Sequence, residues 1–255
     1  MTNPKTKLLG VNISRVSIAE ILTEIQDTIL NNTRNVISYS NIHAINLAYK
    51  FHWFRRFLNR SEINLCDGYG VNLGLKLIGE PTLLRNTPPD WIDELFEVCS
   101  LNGYKVFLLG AKAGIVEKII KSYGQLMPNL IFSGGHHGYF NKEISSIENQ
   151  RVVFEINNKP PDILLVGFGM PIQEKWILEN YDQLDAKVII PVGALFDYMA
   201  GNVKRSPKWM TNNGMEWLGR LIIEPKRLWY RYIIGIPLFF YRVFLQKFGI
   251  LKFDE

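Results

Sequence analysis

The chain has 255 residues, of which 47% are hydrophobic and 21% are charged, and its formal net charge is +5. This length and polarity suit a globular protein with one domain, or one domain and an appendage, and exclude disorder as the starting expectation. Two cysteines are too few for a disulfide framework or a cysteine-based metal site. Residues 1–10 do not resemble a signal peptide, so a reducing cytoplasm is the expected compartment.

Short apolar runs alternate with segments of helical periodicity along most of the chain. The predicted strands are Leu8–Ile13, Val36–Ser40, Ile63–Cys66, Val106–Leu109, Ile131–Ser133, Ile163–Val166 and Val188–Pro191. The predicted helices are Ile18–Leu30, Asn41–Leu58, Gly70–Ile78, Asp90–Leu101 with Asp90 as its cap, a segment from Gly114 to Tyr123, Lys142–Asn157 and Ile172–Tyr181. This alternation predicts an α/β fold with a mostly parallel, Rossmann-like sheet and helices on both faces.

Glycine turns follow two of the predicted strands, where sheets of this kind bind ligands. Gly167 and Gly169 precede Pro171, which suits the first turn of a helix. Backbone N–H groups at such a turn favour an anion such as a diphosphate, although an ordinary strand-to-helix turn is the alternative. Gly110 and Gly114 form G-x-x-x-G, which is neither a P-loop nor the dinucleotide fingerprint, and this disfavours kinases and dehydrogenases.

Two charged side chains are candidates for chemistry. Asp67 ends a predicted strand beside Gly68, where a general base that activates a hydroxyl would lie. An aspartate that hydrogen-bonds its own backbone in the turn is the commoner alternative. Arg85 lies in a loop from which its guanidinium could hold a diphosphate through two hydrogen bonds, and a surface ion pair is the alternative.

The adjacent residues His136 and His137 suggest a metal site, but no acidic or histidine partner accompanies them at ligand spacing. We therefore predict no metal. Gln173 or Glu174, at the start of the helix after the second glycine turn, could contact a nucleobase or ribose. A solvated first helical turn is the alternative for both residues.

The C-terminal segment 203–255 carries the positive charge of the chain, with ten Lys or Arg against four Asp or Glu. Aromatic residues alternate with these cations, which is typical of a segment at a membrane surface. The apolar run Ile233–Tyr241 is too short to cross a bilayer. Packing as a C-terminal helix against the core, or burial between subunits, are the alternatives. We expect a catalytic domain over 1–202 and a helical, membrane-associating appendage over 203–255.

The chain resembles the WecG/TagA/CpsF family of glycosyltransferases, also called glycosyltransferase family 26, from Gly10 to about Tyr232. The resemblance rests on Cys66–Gly70, Arg85 with Asp90, Phe107–Gly110 with Gly114, Gly138–Phe140, Pro161–Trp176, Val192–Gly193, Phe196–Asp197, Ala200–Gly201, Arg205–Trp209, Gly214–Trp217, Arg220–Leu221 and Glu224–Arg227. It implies transfer of a sugar, often N-acetylmannosamine or its uronic acid, from a UDP-sugar to a polyprenyl-diphosphate-linked acceptor. The resemblance also implies inversion at the anomeric centre and no requirement for a metal.

The resemblance also implies roles for single residues. Asp67 would be the catalytic base, Asn41 would face it, and Arg85 would lie near the diphosphate. The residues implied around the nucleotide or completing the site are Gly110, Gly114, Gly167, Gly169, Gln173, Arg220, Arg227 and Arg231.

Two departures from the family pattern concern the substrates. The family's Thr-x-Asn becomes Tyr39-x-Asn41 here, with Ser40 as a substitute hydroxyl, so acceptor handling is expected to differ. The family's Arg-x-x-Gly-x-Asp contains Pro88 in place of the glycine, which stiffens the loop after Arg85. A glucose or glucuronic acid donor is therefore an alternative within the same family.

These features predict a peripheral enzyme at the cytoplasmic face of a bacterial membrane that extends a lipid-linked glycan for a surface polysaccharide. Its partners would be a UDP-sugar, a polyprenyl-diphosphate-linked acceptor and an anionic membrane, with no nucleic acid, no metal and no other cofactor. A homo-oligomer is compatible with the sequence. The alternatives are a membrane-held, non-enzymatic nucleotide-binding module and an oxidoreductase, which the missing G-x-G-x-x-G disfavours.

Overall fold

A computed structural model describes residues 4–203, 210 and 214–253. The strands are β1 Lys5–Leu8, β2 Val11–Ser14, β3 Asn35–Ser40, β4 Ile63–Cys66, β5 Lys105–Gly110, β6 Ile131–His136, β7 Ile163–Gly167 and β8 Val188–Pro191. Six of them form one sheet in the order β4-β3-β8-β7-β5-β6. The predicted α/β fold with a mostly parallel sheet is confirmed.

Helices connect the strands and continue to the end of the described chain. They are α1 Ile18–Leu30, α2 Ile42–Lys50, α3 His52–Arg60, α4 Tyr69–Leu77, α5 Pro88–Asn102, α6 Ile115–Leu126, α7 Ile147–Asn158, α8 Ile172–Asn180, α9 Leu195–Met199, α10 Glu216–Ile223, α11 Pro225–Trp229 and α12 Gly235–Lys247. A π-helical turn, Tyr230–Ile234, joins α11 to α12. Among the described residues, no helix is both long enough and apolar enough to cross a bilayer.

The parallel strands β5, β7 and β8 are neighbours in the sheet and are buried except at Lys105. Val106 pairs with Ile163, and Ile163 pairs with Val188, so the three strands are in register. Every residue of β7 is buried. Strands covered on both faces are apolar at consecutive positions, which explains why their sequence shows a continuous apolar run and no alternation.

The predicted strand Leu8–Ile13 is wrong, because the chain turns back in its middle. β1 and β2 form an antiparallel hairpin in which Leu8 pairs with Val11. The two turn residues, Leu9 and Gly10, both have positive φ (49° and 78°), as in the two-residue turns that match strand twist. Leu9 is nevertheless buried, so the apolar run continues through the turn and conceals it in the sequence.

The predicted helix Asn41–Leu58 is two helices. Phe51 has extended backbone (φ −119°, ψ 110°) and separates α2 from α3. Neither glycine nor proline marks this break, so helical periodicity alone could not locate it.

Two helix starts also differ from the prediction. Helix α5 begins at Pro88, which places Asp90 in the first turn and not at the cap. Helix α7 begins at Ile147, because the Ser146 hydroxyl accepts a hydrogen bond from the N–H of Asn149 and caps it. Both starts follow ordinary preferences, proline for the first turn and serine for the cap.

The chain contains two compact units. Unit 1 comprises residues 4–17, 38–87 and the described part of 204–253, and unit 2 comprises residues 18–37 and 88–203. The expected division into 1–202 and 203–255 stays a prediction.

Within unit 1, helix α12 packs against α2. Asn46 of α2 donates a hydrogen bond to the carbonyl of Gly235 (2.7 Å) and accepts one from Arg242 (2.7 Å). Phe239 is fully buried and contacts Gly74 of α4. The C-terminal helix therefore packs on one side, as in the alternative interpretation of the sequence. Its other side leaves Tyr241 and Phe244 exposed.

Candidate active site

The end of strand β4 places Asp67 beside the start of helix α2. The N–H of Asp67 donates to the carbonyl of Ser40 at the end of β3 (2.9 Å). The Asn41 side chain donates from Nδ2 to Oδ2 of Asp67 (3.0 Å) and accepts at Oδ1 from the N–H of Ala44 (3.0 Å). Asn41 thus caps α2 and orients the carboxylate with one amide group.

Asp67 is followed by a glycine in a conformation that favours glycine. Gly68 has a φ of 121°, which side-chain-bearing residues rarely adopt, and no atom outside the two adjacent residues lies within 4 Å of the position that its Cβ would occupy. Asp67 itself is half-buried, so part of its surface is open to a hydroxyl group.

Ser40 does not supply a free hydroxyl in place of the threonine that the family pattern contains. It is fully buried, and its Oγ donates to Oδ1 of Asn64 (2.9 Å). Tyr39 is also buried, and among the described residues its hydroxyl has no hydrogen-bond partner. Burial, followed by the charge of Asp67, raises the pKa of Tyr39 well above its usual value, so the phenol is neutral.

The loop that carries Arg85 is anchored at the same strand end. The N–H of Asn86 donates to the carbonyl of Cys66 (3.0 Å), and its side chain donates to the carbonyl of Val16 (2.8 Å). Burial, then Asp67, raises the pKa of Cys66 to about 12, and the charge of Arg85 opposes this rise. The structure therefore brings together Asn41, Asp67 and Arg85, which we call the base cluster, within unit 1.

Of the predicted C-terminal arginines, Arg231 is placed near the first turn of α2. Burial, and after it the charge of Arg231, lowers the pKa of His43 to about 4, so this imidazole is neutral at pH 7. The sequence analysis missed His43. Arg220 is half-buried in α10, and the side chain of Arg227 lies outside the described part of the chain.

In unit 2, the predicted glycines fall into two groups. A Cβ on Gly110 would come within 2.4 Å of the carbonyl oxygen of Gly167, and one on Gly167 would come within 2.9 Å of the Phe196 ring. These two glycines let neighbouring backbones approach each other. Gly114 and Gly169 both have a φ of 84°. Apart from the adjacent residues, no atom lies within 4 Å of the position that a Cβ would occupy on either glycine. Gly114 begins α6 without a side-chain cap, so N–H groups of its first turn can meet an anion.

Gln173 holds two glycine turns in place. Its Oε1 accepts from the N–H groups of Gly169 (3.0 Å) and Gly193 (3.0 Å), and its Nε2 donates to Oε1 of Glu174 (2.8 Å). Both amide atoms are thus used inside the protein. The sequence analysis placed Gln173 near the turns. It could not predict the hydrogen bond that joins Gln173 to Gly193, because the two residues are 20 positions apart.

The imidazoles of His136 and His137 lie next to each other, with ring centroids 4.4 Å apart. Within the described ranges, no group of three or more His, Cys, Asp or Glu side chains is arranged to hold a metal ion. Their nearest hydrogen-bonded neighbours are backbone groups of the same loop.

Comparison with known proteins decides the family. The family model described as "Glycosyl transferase WecG/TagA/CpsF family" matches residues 6–252. The chain belongs to this family. The glycosyltransferase is also 30% identical over 250 residues to an N-acetylglucosaminyldiphosphoundecaprenol N-acetyl-beta-D-mannosaminyltransferase of Staphylococcus aureus strain NCTC 8325 / PS 47, covering 97% of this chain and 95% of that relative. The protein of the same name from strain MW2 is 29% identical with the same coverage.

Proposed function

We propose that this glycosyltransferase moves an N-acetylmannosamine-type sugar from a UDP-sugar to a polyprenyl-diphosphate-linked glycan, with inversion at the anomeric carbon. The observation that carries the proposal is the half-buried Asp67, whose carboxylate accepts a hydrogen bond from Asn41. A binding module would not need an oriented carboxylate. The names of the S. aureus relatives support the sugar and the lipid-linked acceptor.

In the proposed reaction, Asp67 takes the proton of an acceptor hydroxyl. That oxygen forms a bond to the anomeric carbon while the bond from this carbon to the UDP oxygen breaks, and the electron pair leaves with UDP. Attack from the face opposite to UDP inverts the centre. The hydrogen bond from Asn41 leaves one carboxylate oxygen, Oδ1, available for the proton.

The donor would bind through groups that favour a diphosphate. Gly114 lies at the start of α6 with open space around it, and backbone N–H groups at such a position bind anions. Gly169 stays a predicted contributor, because its own N–H already donates to Gln173. In this proposal, Gly110, Gly167 and Gln173 stabilise the conformation of the turns. Arg85, Arg220, Arg227 and Arg231 stay predicted contributors. We propose no metal and no other cofactor.

The acceptor lies in a bilayer, so the enzyme must reach a membrane surface. The C-terminal helices expose large apolar side chains, among them Ile222, Trp229 and Phe248. Lys and Arg occur along the same segment, which carries the net positive charge of the chain. Apolar insertion and attraction to anionic lipid act together in peripheral binding. We propose that this segment holds the protein at the cytoplasmic face of the membrane.

The test is transfer of radiolabel from a panel of UDP-sugars to a prenyl-diphosphate-GlcNAc analogue. We expect UDP-N-acetylmannosamine to be the best donor, and the product linkage to be β if the donor is α. Turnover with UDP-glucose or UDP-glucuronic acid alone would correct the donor and retain the enzyme class. Tight UDP binding without turnover of any donor would favour the binding module.

A further inference from the structure

Helix α4 begins two residues after the proposed base Asp67 and carries one exposed face. Tyr69 and Leu73 are 58% and 43% exposed, and Lys76 is exposed too. The three residues are spaced by four and then three positions, so they lie on the same face of the helix. Single exposed apolar side chains are ordinary, but a cluster of them marks a binding surface.

The other sides of α4 are packed within unit 1. A Cβ on Gly70 would collide with the Ile42 side chain at the start of α2, and one on Gly74 would come within 2.7 Å of the Phe239 ring of α12. Ile42 directly follows the Asn41 cap, so the first of these contacts places α4 beside the base cluster. The exposed face of α4 is therefore held at a fixed position next to the proposed base.

A loop adds a third apolar side chain to this face. Oδ1 of Asn72 accepts from the N–H of Leu83 (2.8 Å), and its Nδ2 donates to the carbonyl of the same residue (2.8 Å). These two hydrogen bonds tie the loop to α4 one residue before Leu84, which is 59% exposed. We call the exposed side chains of Tyr69, Leu73 and Leu84 the apolar patch.

The apolar patch extends away from Asp67 along α4. Leu73 lies about 6 Å further along the helix axis than Tyr69, because an α-helix rises 1.5 Å per residue. In a polyprenyl-diphosphate-linked glycan, the reacting hydroxyl belongs to the sugar, the diphosphate comes next, and the hydrocarbon chain comes last. With the hydroxyl at Asp67, the chain leaves the site nearby, where contact with apolar side chains removes its surface from water.

We infer that the apolar patch binds the isoprenoid chain of the acceptor where the chain joins the diphosphate. This inference rests on the proposed transfer to a polyprenyl-diphosphate-linked glycan. Lys76 suits the outer end of such a site, because a lysine can lay its stem on apolar surface and keep its charge among lipid headgroups. The C-terminal segment would hold the protein on any anionic bilayer, whereas the apolar patch would recognise the acceptor itself.

The experiment compares two soluble acceptors without vesicles: GlcNAc diphosphate esterified with a farnesyl chain, and the same molecule with a methyl group in place of the chain. We expect the wild type to have a kcat/KM at least tenfold higher for the farnesyl acceptor. The double variant Leu73→Ser and Leu84→Ser should lower this ratio about tenfold, through a higher KM for the farnesyl acceptor. Tenfold corresponds to about 1.4 kcal/mol, on the order expected for the loss of apolar contact at two leucines.

Two control variants accompany the serine variant. Leu73→Met with Leu84→Met keeps the apolar surface and should retain the wild-type ratio. Leu126→Ser with Leu178→Ser removes leucines that are 72% and 43% exposed in unit 2, and it should also retain the ratio. The dissociation constant of UDP should be the same in all of these proteins.

Two further measurements locate the chain. A diazirine on the first isoprene unit of the farnesyl acceptor should label a peptide within residues 69–84. The double serine variant should float with acceptor-free anionic vesicles like the wild type, because attachment to the bilayer is proposed for the C-terminal segment.

The outcomes separate the two proposals. Failure of the wild type to transfer any sugar to either acceptor would contradict the proposed function itself. Equal kcat/KM of the wild type for the two acceptors, an unchanged ratio in the double serine variant, or a label outside residues 69–84 would overturn the chain site alone. Loss of vesicle flotation in the serine variant would also overturn it, because the apolar patch would then be a contact with the bilayer.

Discussion

At the scale of single residues, the base cluster separates the group that reacts from the group that positions it. Asp67 is partly exposed, whereas Asn41 uses both ends of its amide inside the protein. This difference predicts that substitutions at the two positions will change rate and stability in different ways.

We expect Asp67→Asn to lower kcat by about 10²–10⁴-fold, because that is the usual contribution of a positioned general base. The dissociation constant of UDP should stay nearly constant, since the proposed contact is with the acceptor. Single-turnover transfer and UDP titration measure the two effects. Wild-type turnover in this variant would remove Asp67 from the base role.

Two substitutions of Asn41 can separate its role as the cap of α2 from its hydrogen bond to the Asp67 carboxylate. Asn41→Ala should destabilise the protein by about 1 kcal/mol through loss of the helix cap, and should also lower kcat. Asn41→Ser keeps a capping oxygen but removes the donor to Asp67, so stability should recover while kcat stays low. Urea unfolding and transfer assays on both variants provide the measurement. Recovery of kcat together with stability in the serine variant would show that Asn41 acts through the cap only.

Glu174 is a buried acid whose titration should be visible in the stability of the protein. Burial raises the pKa of this side chain from 4.5 to about 7, and within the described residues its Oε2 has no hydrogen-bond partner. The folded state therefore holds the proton more tightly than the unfolded state between these two values, and the free energy of unfolding falls as the pH rises through this window.

Glu174→Gln removes this titration and keeps an oxygen that can accept from Gln173. We expect the variant to gain a few kcal/mol over the wild type between pH 5 and pH 8, from the difference in the pKa of Glu174 between folded and unfolded states. Urea unfolding at both pH values measures the gain, with exposed Glu179→Gln of the same helix as the control. An equal difference between variant and wild type at both pH values would contradict the raised pKa.

At the scale of elements, sequence patterns predicted strands and helices that depend on neighbouring residues. They did not predict features that depend on contacts between residues far apart in the chain. The apolar run of β7 identified a strand buried on both faces. By contrast, Leu9 is buried within a turn, so apolar character did not reveal the hairpin. Neither glycine nor proline lies at the break at Phe51, so no residue in the sequence signals it. The contact of Asn46 with Arg242 joins residues 196 positions apart, which no local pattern encodes.

Asn46 should determine how firmly helix α12 is held. Asn46→Leu removes the hydrogen bonds to Gly235 and Arg242, and an unsatisfied buried group typically costs about 1–3 kcal/mol. We expect faster amide hydrogen exchange in α12 and little change in β7. Asn102→Ala is the control, because within the described residues its side chain bonds only the preceding turn of its own helix. Unchanged exchange in α12 would mean that apolar packing alone holds it.

At the scale of the whole molecule, composition predicted a basic, aromatic C-terminal segment, but it could not decide between packing and exposure. The structure shows both, because Phe239 and Val243 are buried while Ile222 and Phe248 are exposed. Amphipathic placement of this kind depends on which side of each helix meets unit 1, and the mixed aromatic sequence of α12 gives a weak signal for it. Deleting the segment would therefore uncover the core of unit 1 as well as remove the proposed membrane contact.

Surface substitutions avoid this complication and give the sharpest test of membrane binding. We expect the triple variant Ile222→Ser, Trp229→Ser and Phe248→Ser to reduce flotation with anionic vesicles at least tenfold, because apolar insertion and attraction to anionic lipid act together. The three side chains are 71%, 52% and 71% exposed, so the melting temperature should change little. Raising the salt concentration should weaken wild-type binding, since screening shortens the reach of the charges.

The matched control for this variant replaces Leu30, Leu101 and Leu126 with serine. These leucines are 73%, 85% and 72% exposed and lie outside the C-terminal segment. Loss of an equal number of exposed apolar side chains there should leave flotation unchanged. If the two triple variants lose vesicle binding equally, general surface hydrophobicity explains the binding. If neither loses it, the protein reaches its lipid-linked acceptor without the C-terminal apolar residues, and the membrane contact must be sought elsewhere on the chain.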